Sequence, residues 1–435
     1  MTAQRGTCRV TQGEFRGWEA CTLENGLIRV VAVPDIGGRV MAYDLDGYPF
    51  VFVDPTLAGK LFSAEENQGD GSLAAWKNYG GDKSWPAPQG WDNDDQWHGP
   101  PDPILDTGRY SLDTLSADGD HAVIAMTSPP DTARTGLRIN RRLTLARGST
   151  RVTLAITFHN ITPYRTIRWS IWDVMQLRAE RHLPGSGVTH APECVVTAPL
   201  NPDSVFPNGY NVMFGADNNP QWQVDAERGL FRAPYLWQIG KVGLDSPAGW
   251  IAFSHTGEGC AFTERFDYEP DGEYPDGGAT LEVWTVGAGE VGNLNYEGSG
   301  IYLMETEVLS PLRTIPPGAQ TRFSITWGAC RCDGEVIDTA EGGVTTGALH
   351  ATADGADGLH LSGKFGVFDR GTLALTFYDG QGAALTSETL GTADPLTPVT
   401  LDQPAARPDG ARSVTLNLIS DADGQSRPIA RTALP

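Results

Sequence analysis

Six cysteines in 435 residues, at positions 8, 21, 194, 260, 330 and 332, are too few and too scattered for a disulfide scaffold. Cys330 and Cys332 stand two apart, on one face of a strand, and read as buried free thiols rather than metal ligands. No apolar run approaches the roughly 18–20 residues of a membrane helix. Met1 to Asn25 hold no apolar stretch, so no signal peptide is expected and the cytoplasm is the expected compartment. The eight histidines have no paired metal spacing, no glycine-rich phosphate loop opens a helix, and no serine nucleophile elbow occurs. Nucleotide-dependent and serine-hydrolase chemistry are therefore disfavoured, and neither cofactor nor metal is expected. Positive charge is also scarce. A balance of 32 Lys+Arg against 54 Asp+Glu leaves −22, which repels phosphate backbones and argues against a nucleic-acid partner.

What is abundant is turn and strand. The 52 glycines and 30 prolines favour many turns over long helices. Period-two alternation marks strands at 29–33, 121–127, 138–145, 151–159, 250–255, 281–286 and 322–327. Ala179 to Leu183 offers one short helical turn at best. The expected fold is all-β, a large antiparallel sandwich. Composition changes near residue 333, because all 12 Trp and all six Cys lie before it. Residues 1–332 are therefore expected as one large unit and 333–356, rich in Gly, Thr and Ala, as a linker. Residues 357–435 read as a small immunoglobulin-like sandwich, with strands near 359–367, 372–378, 384–390, 398–402 and 413–419.

Two segments carry the residue types of a binding site. Trp76, Trp85, Trp91 and Trp97 cluster in one stretch with Asp82, Lys83, Gln89 and His98. Sugars need such a mixture, since their C–H faces stack on indole while hydroxyls pair with carboxylates, amides and ammonium groups. The plainer alternative is a covering loop whose indoles plug the core. The run Asp92, Asp94, Asp95 lacks calcium-loop spacing and reads as solvated charge. In the second segment, a strand over Met304–Val308 puts Glu305 and Glu307 on one face and Met304, Thr306 and Val308 on the other. Paired carboxylates raise one another's pKa, as acid–base chemistry requires, though two solvated acids on an exposed face give the same spacing.

Several stretches together resemble the galactose-mutarotase-like (aldose 1-epimerase) superfamily of β-supersandwiches. Leu23 to Val30 leading to Pro34-Asp35-Ile36-Gly37-Gly38-Arg39-Val40 is similar to its first hairpin. Gly300 to Glu307, Ile315-Pro316-Pro317-Gly318 and Phe323 to Trp327 are similar to its C-terminal end. Gly80 to Trp91, Lys241-Val242-Gly243, Tyr274-Pro275-Asp276 and Glu305 to Pro311 look like an uncharacterised bacterial branch of it, and the likeness covers roughly residues 15–332. The resemblance implies a β-supersandwich, a small-molecule sugar or oligosaccharide ligand, and Glu305 as the base that deprotonates an anomeric hydroxyl. The family's acid histidines have no counterpart. Asn160 and Trp169 to Asp173 occupy one such place, and Asp82, Lys83 and Trp85 the other.

These readings give an aldose 1-epimerase-like isomerase with Glu305 as base and Asp82, His98, Lys83 or Asp173 as acid. Lys83, Trp85, Trp91, Trp97, Arg39, Trp172 and Glu307 are its expected ligand contacts. The alternatives are a non-catalytic carbohydrate-binding protein, or a polysaccharide lyase or hydrolase in which Arg39, Arg165, Arg168 or Lys83 faces the cleft. Oligomeric state is left open by the sequence.

Overall fold

Alternating apolar and polar residues build nearly everything in the computed structural model, which describes residues 6–183, 185, 187–355 and 358–435. The chain is all-β, 54% strand and 3% helix. Two large antiparallel sheets face each other, one of 12 strands and one of 10. The strand Leu137–Ala146 shows how sequence makes the interface between them. Leu137, Ile139, Leu143 and Leu145 are buried in the core, while Arg138 and Arg142 are exposed. The expected strands lie within a residue or so of observed ones, except that the last runs longer, Gln320–Arg331.

Half of the 12-stranded sheet concerns the site. Its strands run in the order Asp82–Ala87, Ile167–Arg178, Leu303–Leu309, Leu281–Thr285, Gly240–Leu244, Asn211–Gly215. Leu303–Leu309 is buried at every position. Met304 and Val308 enter the sandwich core, whereas Glu305 and Glu307 point to the opposite face, which the 73–100 and 286–302 segments cover. The reading of two solvated acids is thereby overturned.

Residues 338–433 form two four-stranded sheets around their own apolar cluster, including Leu359, Leu361, Phe365, Leu375, Phe377 and Leu416. The stretch expected as a linker holds two of these strands, Asp338–Ala340 and Gly343–Asp354. Its glycines at 342, 343 and 347 serve close packing. A Cβ on Gly343 would lie 2.0 Å from the Gly366 carbonyl oxygen of the neighbouring strand. A further strand, Ser426–Ala433, went unread. Ala179 to Leu183 is not helical either, and Glu180–His182 pairs with Val188–His190 instead. Among the described residues the α-helix is Ala64–Gln68, opened by a capping box between Ser63 and Glu66. Among the described residues no helix is long and apolar enough to cross a membrane.

Candidate functional site

Strand alternation decides which side chains meet in the cleft. On Asp82–Ala87, Lys83 and Trp85 point away from the sandwich core. On Ile167–Arg178, Trp172 and Gln176 share that face, as do Glu305 and Glu307 on the next strand, Glu282 and Trp284 on the next, and Lys241 beyond. Of these, Trp85, Trp172, Gln176, Glu305, Trp284 and Lys241 floor a cleft of about 220 Å³, and Lys83, Glu282 and Glu307 are buried behind them. Its walls are Trp76, Asn78, Gln89 and Trp91 on one side, and Val291, Leu294 and Tyr296 on the other. Five indoles line it: Trp76, Trp85, Trp91, Trp172 and Trp284.

The floor holds two lysine–carboxylate groups side by side. Lys83 Nζ donates to Glu305 Oε1 at 3.1 Å, and Gln176 Nε2 donates to the same oxygen at 2.5 Å. Lys241 Nζ lies 2.6 Å from Glu282 Oε2 and 2.9 Å from Glu307 Oε2, which also accepts from Trp172 Nε1 at 2.7 Å. Each ammonium rests against an indole, Lys83 5.1 Å from the ring centre of Trp85 and Lys241 4.4 Å from that of Trp172. Burial lowers the Lys83 pKa against the opposing pull of Glu305. For Lys241, burial also works downward, but the carboxylates of Glu282 and Glu307 prevail and raise it. Burial, with the charges of Glu282 and Glu305, pushes Glu307 up to about 8 against the pull of Lys241. Glu305 is 8% exposed and faces the cleft; Glu307 is wholly buried beneath it.

The indole walls are held from behind by Asp106. Its carboxylate accepts from Trp76 Nε1 at 2.8 Å, from Trp85 Nε1 at 3.2 Å and from the Arg39 guanidinium. Gly37 lets this loop approach, since its φ is 82° and a Cβ there would lie 1.8 Å from the Asp106 carbonyl oxygen. Arg39 is thus fully buried behind the wall, not a ligand contact. Trp97 is likewise a plug, packed 4.9 Å from Trp85 with its Nε1 bonded to Asp102. The Trp-rich segment therefore both lines the cleft and seals the core behind it.

Two expected acids are elsewhere. Asp82 precedes Lys83, so it points to the opposite face, where the Arg141 guanidinium binds it inside the sandwich. Asp173 is there too, 3.8 Å from Arg141 and accepting from Ser84 Oγ at 2.6 Å. His98 lies outside the cleft, its Nε2 3.0 Å from the Asn93 carbonyl oxygen, in a separate hollow with Arg165. Arg168 pairs with Glu273 on the surface. Trp85, Trp91 and Trp172 line the cleft, Trp91 the most exposed of them. Sequence reading missed Gln176, Trp284, Tyr296 and Asp106. The alternation of 172 and 176 about the inward Asp173 was the signal for Gln176; nothing local marks Tyr296 or Asp106.

Solved structures similar to the chain include a galactose mutarotase-like protein from Lactobacillus casei, with 13% identity, TM-score 0.44, and coverage of 71% of this chain and 99% of that one. A proposed aldose 1-epimerase from Klebsiella pneumoniae gives 12% identity, TM-score 0.48, and coverage of 73% and 82%. A TPR-domain-containing protein from Parabacteroides distasonis gives 11% identity and TM-score 0.44 over 71% of this chain, which spans only 46% of that protein's length. A comparison with curated proteins finds no match. The profile of a family described as a domain of unknown function, DUF4380, matches residues 19–329, a span holding every strand of the cleft floor, and the chain belongs to that family.

Proposed function

We propose that the protein is carbohydrate-active and that the cleft binds a sugar ring at its base. One observation carries this reading: Glu305, held by Lys83 and Gln176, lies at the bottom of a cleft walled by five indoles. Sugar hydroxyls donate to such a carboxylate and accept from the amide, while the C–H faces of the ring stack on indole. The resemblance of Gly300 to Glu307 to the epimerase C-terminal end supports the same assignment. A cytoplasmic setting belongs to this proposal, supported by six cysteines that are all free and buried.

Epimerase chemistry is a second reading, favoured by the 3.1 Å contact between Lys83 and Glu305. Glu305 would take the anomeric hydroxyl proton as the C1–O5 bond breaks and C1=O1 forms, and the ring oxygen would take a proton from Lys83. Return of the proton from Glu305 to Lys83 resets the pair. Binding stands first because no histidine lines the cleft among the described residues and both ammonium groups are already paired. With Arg39, Arg165 and Arg168 all away from the cleft and Lys83 paired with Glu305, no free cation supports the lyase reading.

A thermal-shift panel of sugars tests the proposal. A raised unfolding midpoint with at least one sugar, lost in Glu305→Gln, is expected; no response to any sugar contradicts it. Polarimetry on the sugar that binds separates the two readings, because only an epimerase accelerates mutarotation.

A further inference from the structure

We infer that the ligand of this cleft is an uncharged glycan of at least two rings, the first at Glu305 and the second between Trp91 and Phe214. The inference rests on the sugar-binding reading and adds charge and length to it.

Charge comes first. Lys83 is paired with Glu305, and Lys241 with Glu282 and Glu307. No arginine or histidine lines the cleft among the described residues. A uronate or phosphate would find no free cation and would lie against Glu305. For a cationic ligand, the faces of Trp85 and Trp172 are already occupied by the protein's own ammonium groups. Beside Glu305, the groups left for a ligand are neutral: Asn78, Gln89, Gln176 and Tyr296. Gln176 is 1% exposed and its Oε1 has no partner, an unmet acceptor at the cleft floor that a hydroxyl would satisfy.

Length follows from the mouth. Trp85 and Trp172 are each 3% exposed, but Trp91 is 48% and Phe214 42% exposed, although both line the cleft. They come from opposite sides, Trp91 from the Trp-rich segment and Phe214 from the outermost strand of the path. Phe214 is aimed there by a β-bulge. The register shifts between Val212 and Phe214, so Phe214 lies opposite Lys241, whereas unbroken pairing would set Met213 there. A bulge that turns a large aromatic into a half-open mouth gains nothing for the core. A second ring stacked between these side chains covers both.

A glycan array carrying neutral, uronate, amino and phosphorylated glycans of one to four units tests this on the full chain, with Trp91→Ala and Phe214→Ala alongside. Both variants change exposed side chains and should fold. Expected are binding to neutral glycans only and about tenfold tighter binding of the dimer than of its monomer. Either variant should remove that gain, so that dimer and monomer bind about equally. Preference for a charged glycan, or equal affinity for monomer and dimer, overturns the inference and leaves sugar binding standing. Silence across the array overturns both.

Discussion

The two faces of one sheet carry buried charge for different ends. On the sandwich face, Asp82, Asp173 and Arg141 are fully buried, with Glu264 nearby accepting from Thr306 Oγ1 at 2.5 Å. On the other face, Lys83, Glu305, Lys241 and Glu307 use the same kinds of group, but Glu305 and Lys241 border a cleft, with Lys83 and Glu307 bonded to them. Residues 82 and 83, 172 and 173, and 305 to 307 are split between faces one by one. Sealed charge of the first kind has no route to a ligand, so it shapes stability; only charge beside the cleft can act on one.

The comparison breaks most forcefully at Arg141. Replacing it with Met leaves Asp82 and Asp173 without their cation, at a cost of about 3–5 kcal/mol. Urea unfolding should register that loss. A variant of unchanged stability would show the sandwich-face cluster to be dispensable.

Glu307 sharpens the comparison through pH. Its folded pKa, about 8, lies above that of an ordinary glutamate, so the folded chain binds more protons than the unfolded one between about pH 4.5 and 8. Its contribution to stability is therefore greatest at low pH and declines as pH rises through that window. Asp82, Asp173 and Glu264 are also raised by burial and act in the same direction. Glu307→Gln should lessen the fall in unfolding free energy from pH 5 to 8. An unaltered slope would remove Glu307 as a proton-holding group.

The smallest effect belongs to His98. Because it lies outside the cleft, His98→Ala should leave sugar affinity within about twofold by calorimetry, a change below 0.5 kcal/mol. A larger loss would return it to the site.

Most of the sandwich was legible because period-two patterning is strong wherever one face is buried, as in Leu137–Ala146. The Gly- and Thr-rich strand Gly343–Asp354 was not, since small residues chosen for close strand approach look like a linker. In the site, the clustered indoles were readable from spacing, and Glu305 from the resemblance carried by Gly300 to Glu307. Grouping Asp82 with Lys83 broke the alternation rule itself, for neighbours on a strand cannot share a face. Asp106 and Tyr296 reach the site only through loops whose path no local pattern records. Lys241, one of five lysines in the chain, reaches Glu307, 66 positions away, across the intervening strand Leu281–Thr285.

The central claim is that the Glu305 carboxylate receives a sugar hydroxyl at the base of the indole cleft. Calorimetric titration of the wild-type chain and of Glu305→Gln with a sugar that raises the unfolding midpoint tests it most directly. The account predicts at least about tenfold weaker binding in the variant, with an unfolded-baseline check that it remains folded. Equal dissociation constants for the two would contradict it.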